Sequence, residues 1–386
     1  MKLALACAAA LLAGACAQTP AAAPVVEPAA AAPESPDPAP APIPVVEALP
    51  LRGDGPPLPS DRKALTRILV GSCSEETQPI PILAAVARLK PELFLFIGDN
   101  VYGDATAGDM SLPELKQAYA DLSINAYFSA FNMSTPLLAT WDDHDYAAGD
   151  GGSDFPGKAR SEQLFEAFWR DASLGGDHPG VYGARVFGPP GRRVQVILLD
   201  TRFFRSSLKR AEPPSPGGYA PYLPDSDPAK TMLGEAQWAW LQGELRRPAE
   251  IRLLVSSVQV LADDHPFEGW KALPAEQARL YRTIRESGAK GVVLISGDRH
   301  VGALYRETGA APYPLHELTT SSLNLPVATA RPEQSSAQKG PVYRGVNFGM
   351  IEIDWPGRRL FLTVRDVDGA PQRTSTVTFK ELHFAS

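Results

Sequence analysis

The stretch 91–104, PELFLFIGDNVYGD, decides the fold. It opens with Leu93-Phe94-Leu95-Phe96-Ile97, an apolar run too short for a typical helix and rich in aromatics. Such a run reads as a strand buried on both faces. It ends abruptly in Gly98-Asp99-Asn100, and Tyr102 and Asp104 follow at once. A carboxylate, an amide and a phenol thus gather where a buried strand emerges. In open α/β sheets, ligands bind at the carboxyl ends of the strands. This edge is the candidate site.

The neighbouring segments support it. Residues 67–70 form a short strand that ends in Gly71-Ser72-Cys73-Ser74. Residues 79–90 then place Ile82, Val86 and Leu89 at helical spacing until Pro91 stops the helix. Strand, helix, strand makes a βαβ unit with parallel, adjacent strands. Cys73 and Asp99 therefore leave neighbouring strands at one edge. Residues 112–131 read as one helix with Leu115, Tyr119, Leu122 and Tyr127 as its buried stripe. A third apolar segment, 136–141, enters Asp142-Asp143-His144-Asp145.

Further strands at 194–199, 251–255 and 291–295 run into Asp200-Thr201-Arg202, Ser256-Ser257-Val258-Gln259 and Ser296-Gly297-Asp298-Arg299-His300. Helices are expected at 161–172, 234–245 and 274–286, and a surface insertion rich in proline and glycine at 211–230. The last strands, 316–321, 348–354, 359–364 and 374–379, have no long helix between them. They are expected to be antiparallel and to complete a second sheet. The expected fold is α/β: a four-layer α/β/β/α sandwich of mixed sheets with helices on the outer faces.

Five strand ends then converge, carrying Cys73, Asp99 with Tyr102, Asp142 to Asp145, Gln259, and Asp298 with His300. Adjacent carboxylates cannot all stay ionised without cations between them. More than one metal ion is the chemical answer. A thiolate and a phenolate are basic donors that a strong Lewis acid such as iron would hold deprotonated. The surplus carboxylates suit calcium, magnesium or manganese. Asp99 is the natural bridging ligand, and Asp143 is preferred to Asp142, which can instead cap a turn. Paired ions lower the pKa of bound water and clamp the oxygens of an in-line displacement. His144, flanked by Asp143 and Asp145, is a candidate general acid for the leaving alkoxide.

Plainer roles remain open for several of these residues. Cys73 can be a small buried hydrophobe, Tyr102 a packing ring, and Gln259 a partner for loop backbone. Arg202 can bind substrate phosphate through its planar fork or pair with Asp200 or a loop carboxylate. Asp263, Asp264 and His265 fit a turn before Pro266 better than a metal site. His178, His316 and His383 have no motif around them, and Trp238 and Trp240 read as helix packing.

These blocks resemble the PhoD-like alkaline phosphatases of the calcineurin-like metallophosphatase superfamily. Gly98-Asp99-Asn100-Val101-Tyr102 is similar to the G-D-x-x-Y block. Trp141-Asp142-Asp143-His144-Asp145 stands where related enzymes have G-N-H-[DE], with Asp145 where Glu is commoner. Ser296-Gly297-Asp298-Arg299-His300 is similar to the final block, and Gly71-Ser72-Cys73 replaces the usual D-x-H as in the PhoD-like branch. The resemblance runs from about residue 65 to 380 and includes the helix at Leu233 to Trp238. It implies Cys73, Asp99, Tyr102, Asp143, Asp298 and His300 as metal ligands, with Gln259 a further candidate, and His144 as catalytic histidine. It implies Fe(3+) with Ca(2+), for which Mn, Mg or Zn can substitute. The expected activity is hydrolysis of phosphomonoesters or phosphodiesters by metal-activated hydroxide. The alternatives are a phospholipase or phosphodiesterase acting on envelope lipids, and a non-catalytic envelope lipoprotein.

Composition bounds the partners. The net charge of −7 offers no basic excess to neutralise a nucleic acid, which leaves small anionic phosphate esters. Met1-Lys2 followed by LALACAAALLAGAC reads as an export signal, residues 1–16, too short for a membrane span. Leu12-Ala13-Gly14-Ala15-Cys16 resembles a bacterial lipobox, which would lipidate Cys16; cleavage after Ala17 is the alternative. Residues 17–60, dominated by Ala and Pro, read as a semi-stiff tether, and 61–386 as one domain. The expected location is the periplasm, membrane-tethered through Cys16, or soluble after ordinary cleavage. Cys73 is then the domain's sole thiol, with no internal disulfide partner.

Overall fold

The computed structural model describes residues 52–383, apart from 107, 213–220, 328–332 and 334. The expected signal, Cys16 and most of the tether lie outside the described residues. The end of the expected tether packs on the domain. Arg52 is buried against Asn132 (2.8 Å) and pairs with Asp171, and Leu58 joins the core.

The strand in the opening stretch is β2 (Leu93–Ile97), and all five of its residues are buried. Alternation sends Leu93, Leu95 and Ile97 to one face and Phe94 and Phe96 to the other. Its neighbours β1 (Arg67–Gly71) and β3 (Leu137–Thr140) run parallel to it, joined through α1 (Ile82–Arg88), α2 (Pro113–Ile124) and α3 (Ala126–Asn132). The outer face is capped by these helices and by α4 (Lys158–Trp169), with Phe94 5.0 Å from Phe131 and Phe96 5.2 Å from Trp169.

The single helix expected over 112–131 is two. Asn125 adopts extended backbone, and its side chain caps α3 by accepting from the amides of Tyr127 and Phe128. The turn also moves Tyr127 out of the expected stripe, leaving it 40% exposed.

The second sheet is built from β4 (Gly183–Phe187), β5 (Val194–Leu198), β6 (Ile251–Val255), β7 (Val292–Ser296), β9 (Leu315–Thr320) and β8 (Gly302–Glu307), in that order. Its outer face carries α5 (Gly234–Arg246) and α6 (Pro274–Ser287). The late strands depart from expectation. β9 runs parallel to β7, and β10 (Asn347–Asp354), β11 (Arg359–Asp366) and β12 (Pro371–Thr378) extend the first sheet instead of completing the second. β10 pairs antiparallel with β1, covering an edge that would otherwise expose unpaired backbone. The edge strands β4 and β8 were not expected, because Gly, Arg and Glu break their apolar pattern.

Between the sheets, Ile68, Val70, Leu95 and Ile97 meet Val196, Leu198, Val255 and Ile295, all fully buried. The result is the four-layer α/β/β/α sandwich. Among the described residues, no helix is long and apolar enough to cross a membrane.

His316, on β9, is 3% exposed, and its Nε2 has no hydrogen-bond partner. Burial lowers its pKa from 6.5 to about 4, so the folded chain holds it neutral while an unfolded one protonates it. Stability from this site is complete above about pH 6.5 and is lost as pH falls through about 4. His316→Gln should therefore flatten the acid limb of stability against pH. Denaturation midpoints of the two proteins should converge below pH 5; parallel curves would contradict this.

Candidate metal centre

Register brings the site together. Gly71 pairs with Phe96, and Ile97 with Thr140, so three loops leave the first sheet side by side. The backbone zips them further: Cys73 N donates to Gly98 O (3.3 Å) and Ser74 N to Asp99 O (2.8 Å). Cys73, Asp99, Asp298 and His300 all sit at positive φ, between 49° and 65°. Such backbone costs on the order of 1–3 kcal/mol per residue and persists where surrounding structure imposes it. Gly98 has no such latitude for a side chain. At φ 110° an added Cβ would lie 2.5 Å from that of Asp142, so glycine is what lets the Asp99 and Asp142 loops touch.

The thiol of Cys73 is fully buried, 3.3 Å from Asp99 Oδ2 and 2.9 Å from Ser321 Oγ. Burial pushes it up to about 12. Burial also raises Asp99 and Asp298 well above the ordinary carboxylate range, and the surrounding acids add to it. His300 Nδ1 faces the Leu325 carbonyl, and its Nε2 lies 3.3 Å from the Tyr102 hydroxyl.

On the other side, Asp142, Asp143 and Asp298 bring ligand atoms within 4.8 Å of one another. Beneath them lies Arg202, with no exposure at all. It donates to Asp142 and Glu268 and lies 3.7 Å from Asp143. The expectation that Arg202 meets substrate phosphate does not match this placement, because carboxylates on the protein side engage its guanidinium. Arg202 fixes the acids instead, and holds Asp143 ionised together with His144 against the cost of burial.

His144 stands at the cavity. Its Nδ1 lies 2.6 Å from Asp104 Oδ2, its Nε2 3.9 Å from Asp143 Oδ2, and its ring 4.3 Å from that of Tyr102. Burial opposes a charge on the ring, but Asp143, Asp104 and Asp99 outweigh it and raise the pKa to about 11. Asp145 does not face the cluster. It accepts from Asn100 N, Asn100 Nδ2 and Asp142 N, which explains the asparagine after Asp99 as the clasp of the turn.

The donor set fits metal ions. Buried oxygens of Asp99, Asp142, Asp143 and Asp298 have no hydrogen-bond partner, where buried polar atoms are ordinarily paired. Cys73, Asp99 and His300 form one group of converging ligand atoms, and Asp99, Asp143 and His144 another. Asp99 and Asp143 each belong to more than one group, the arrangement a bridging carboxylate needs.

Of the expected residues, Cys73, Asp99, Tyr102, Asp143, His144, Asp298 and His300 come together. Gln259 stands apart: its Nε2 donates to Tyr305 (3.0 Å) and Thr319 (2.9 Å). Its Oε1 is buried without a hydrogen-bond partner among the described residues. His265 lines the cavity but belongs to no ligand group. Sequence reading noted Asp104 at the strand end but gave it no role, and ranked Asp142 below its neighbour. Ser321 had no signal, since its role follows from β9 running beside β7.

The family model of PhoD-like phosphatases matches residues 68–349, which is most of the chain. The chain belongs to the PhoD-like phosphatase family. Alkaline phosphatase D of Bacillus subtilis (strain 168) is 22% identical over 253 residues, 56% of this chain and 42% of that protein. The PhoD-like chain thus spans less than half of that relative's length. A solved structure of PhoD superposes with a TM-score of 0.62 at 16% identity, over 84% of this chain and 70% of that one. Purple acid phosphatase PPD1 from yellow lupin (Lupinus luteus) seeds superposes with a TM-score of 0.57 at 9% identity, over 82% and 54%. At these identities the likeness establishes a shared metallophosphatase fold.

Arg202 is expected to matter for stability before chemistry. Arg202→Leu strands buried carboxylates and should cost about 3–5 kcal/mol in chemical denaturation. A variant as stable as the parent but with a raised KM would return Arg202 to a substrate role.

Proposed function

We propose that this PhoD-like chain hydrolyses phosphate esters at the carboxylate cluster, with metal ions as cofactors. The observation that carries the reading is the set of buried, unpartnered oxygens on Asp99, Asp142, Asp143 and Asp298 beneath a histidine held by Asp104. Fe(3+) suits the Cys73, Tyr102, Asp99 and His300 side, where sulfur, phenol, carboxylate and imidazole donors meet. Ca(2+), or Mn, Mg or Zn in its place, suits the carboxylate side around Asp143 and Asp298. Ions bound there polarise phosphoryl oxygens and lower the pKa of water.

The chain's own residues do the rest. Asp104 engages Nδ1 of His144, which leaves Nε2 to carry a proton towards the departing alcohol. The Tyr102 ring packs against that of His144 at a tilt of 36° and limits its movement. Buried Arg202 and the Asp145–Asn100 clasp keep the acids from moving apart. An anionic ester is drawn to the site only when cations offset this negative floor. Export, and tethering through Cys16, belong to the same proposal and rest on the N-terminal sequence.

Kinetic and spectroscopic measurements test it. His144→Ala should lower kcat/KM by about 10²–10⁴-fold, more for alkyl than for aryl phosphates, because a poor leaving group needs the proton more. Equal losses on both would remove His144 as general acid. Cys73→Ser should abolish or shift any visible thiolate-to-iron band in the purified protein. A colourless, iron-free and fully active parent would exclude iron. Rates on aryl and bis-aryl phosphates separate monoesterase from diesterase or phospholipase action.

A further inference from the structure

The cavity over the metal centre holds about 550 Å³, and its two sides differ in chemistry. Its floor is the acidic cluster. Its outer wall, which the mechanism above does not use, is formed by His265, Phe267, Arg299, Val327 and Glu333. Phe267 is 39% exposed and Val327 40%, so apolar surface faces the space above the cluster. The Arg299 guanidinium lies 3.9 Å from the centre of the Phe267 ring and 3.3 Å from Glu333. A cation over a ring face fixes the ring's orientation. The His265 ring lies 6.2 Å from that of Phe267, tilted by 31°. His265 is only 7% exposed; the Phe267 backbone lies beside its ring, and neither ring nitrogen makes a well-formed hydrogen bond.

A buried imidazole so poorly met is costly, and this one lines the cavity. An aliphatic chain would cover Phe267 and Val327 but leave His265 unsatisfied. A flat ring with a polar edge would meet both demands. We propose that this wall is a leaving-group subsite for a planar aromatic alcohol, packed on Phe267 and hydrogen-bonded at its polar edge by His265. The subsite rests on the phosphoesterase reading, since the phosphoryl group must lie on the floor for the ring to reach the wall.

The test is calorimetric binding of phosphonates, which are not hydrolysed, to the metal-loaded protein. Phenylphosphonate should bind about tenfold tighter than methylphosphonate or butylphosphonate, and Phe267→Ala should close that gap. A 4-hydroxyphenyl phosphonate should gain a further factor of about three, lost in His265→Phe. Butylphosphonate binding as tightly as phenylphosphonate, or an unchanged gap in Phe267→Ala, would overturn the subsite. Methylphosphonate reports the floor by itself. If it binds while the ring preference is absent, only the subsite is wrong; if no phosphonate binds the loaded protein, the phosphoesterase reading falls and the subsite with it.

Discussion

Carboxylates buried side by side repel one another, and this constraint organises the molecule. Asp99, Asp142, Asp143 and Glu268 are buried in one region, with half-buried Asp298 beside them. Protein groups meet only part of their demand: Arg202 and Arg205 lie on the inner side, and one oxygen each of Asp99, Asp142, Asp143 and Asp298 has no hydrogen-bond partner among the described residues. Burial by itself would drive these acids to their neutral forms and keep Cys73 a thiol. Cations between them reverse that balance, because a carboxylate or thiolate that ligates a metal is held charged. The cluster is thus coherent as a metal centre and poorly accounted for as a packed core.

The surrounding structure resists that repulsion. Non-glycine residues in left-handed backbone at four candidate ligand positions are stabilised by loops locked together through main-chain hydrogen bonds. The absent side chain of Gly98 allows the approach of the Asp142 loop, and Gly297 likewise makes room for Ser72, 2.5 Å from where its Cβ would lie. Hydrophobic burial on both faces of β2 anchors this edge, so rigidity is paid for in the core and used at the site. The acids are preorganised, so metal ions bound by them would meet a geometry already assembled.

Much of this was legible in the sequence because strand patterns are local. Leu93–Ile97 and Ile251–Val255 have the same bounds in the structure as in the reading, and the residues that follow such strands must share an edge. What was not legible depended on partners distant in the chain. Nothing in residues 348–378 says that β10 covers β1 and not the second sheet. Asn125 broke a helix that apolar spacing carried straight through, since its capping bonds compete with periodicity. Arg202 looked available because its partners, Asp142 and Glu268, lie 60 and 66 residues away. Gln259 followed a strand as the ligands do, yet its amide turns to Tyr305 and Thr319.

The central claim is that the unpartnered acids hold metal ions, and elemental analysis of the purified protein tests it most directly. More than one tightly held ion per chain, iron among them, is the predicted result, with the content falling sharply in Asp99→Asn. A protein that hydrolyses phosphate esters at full rate without stoichiometric metal would contradict the account.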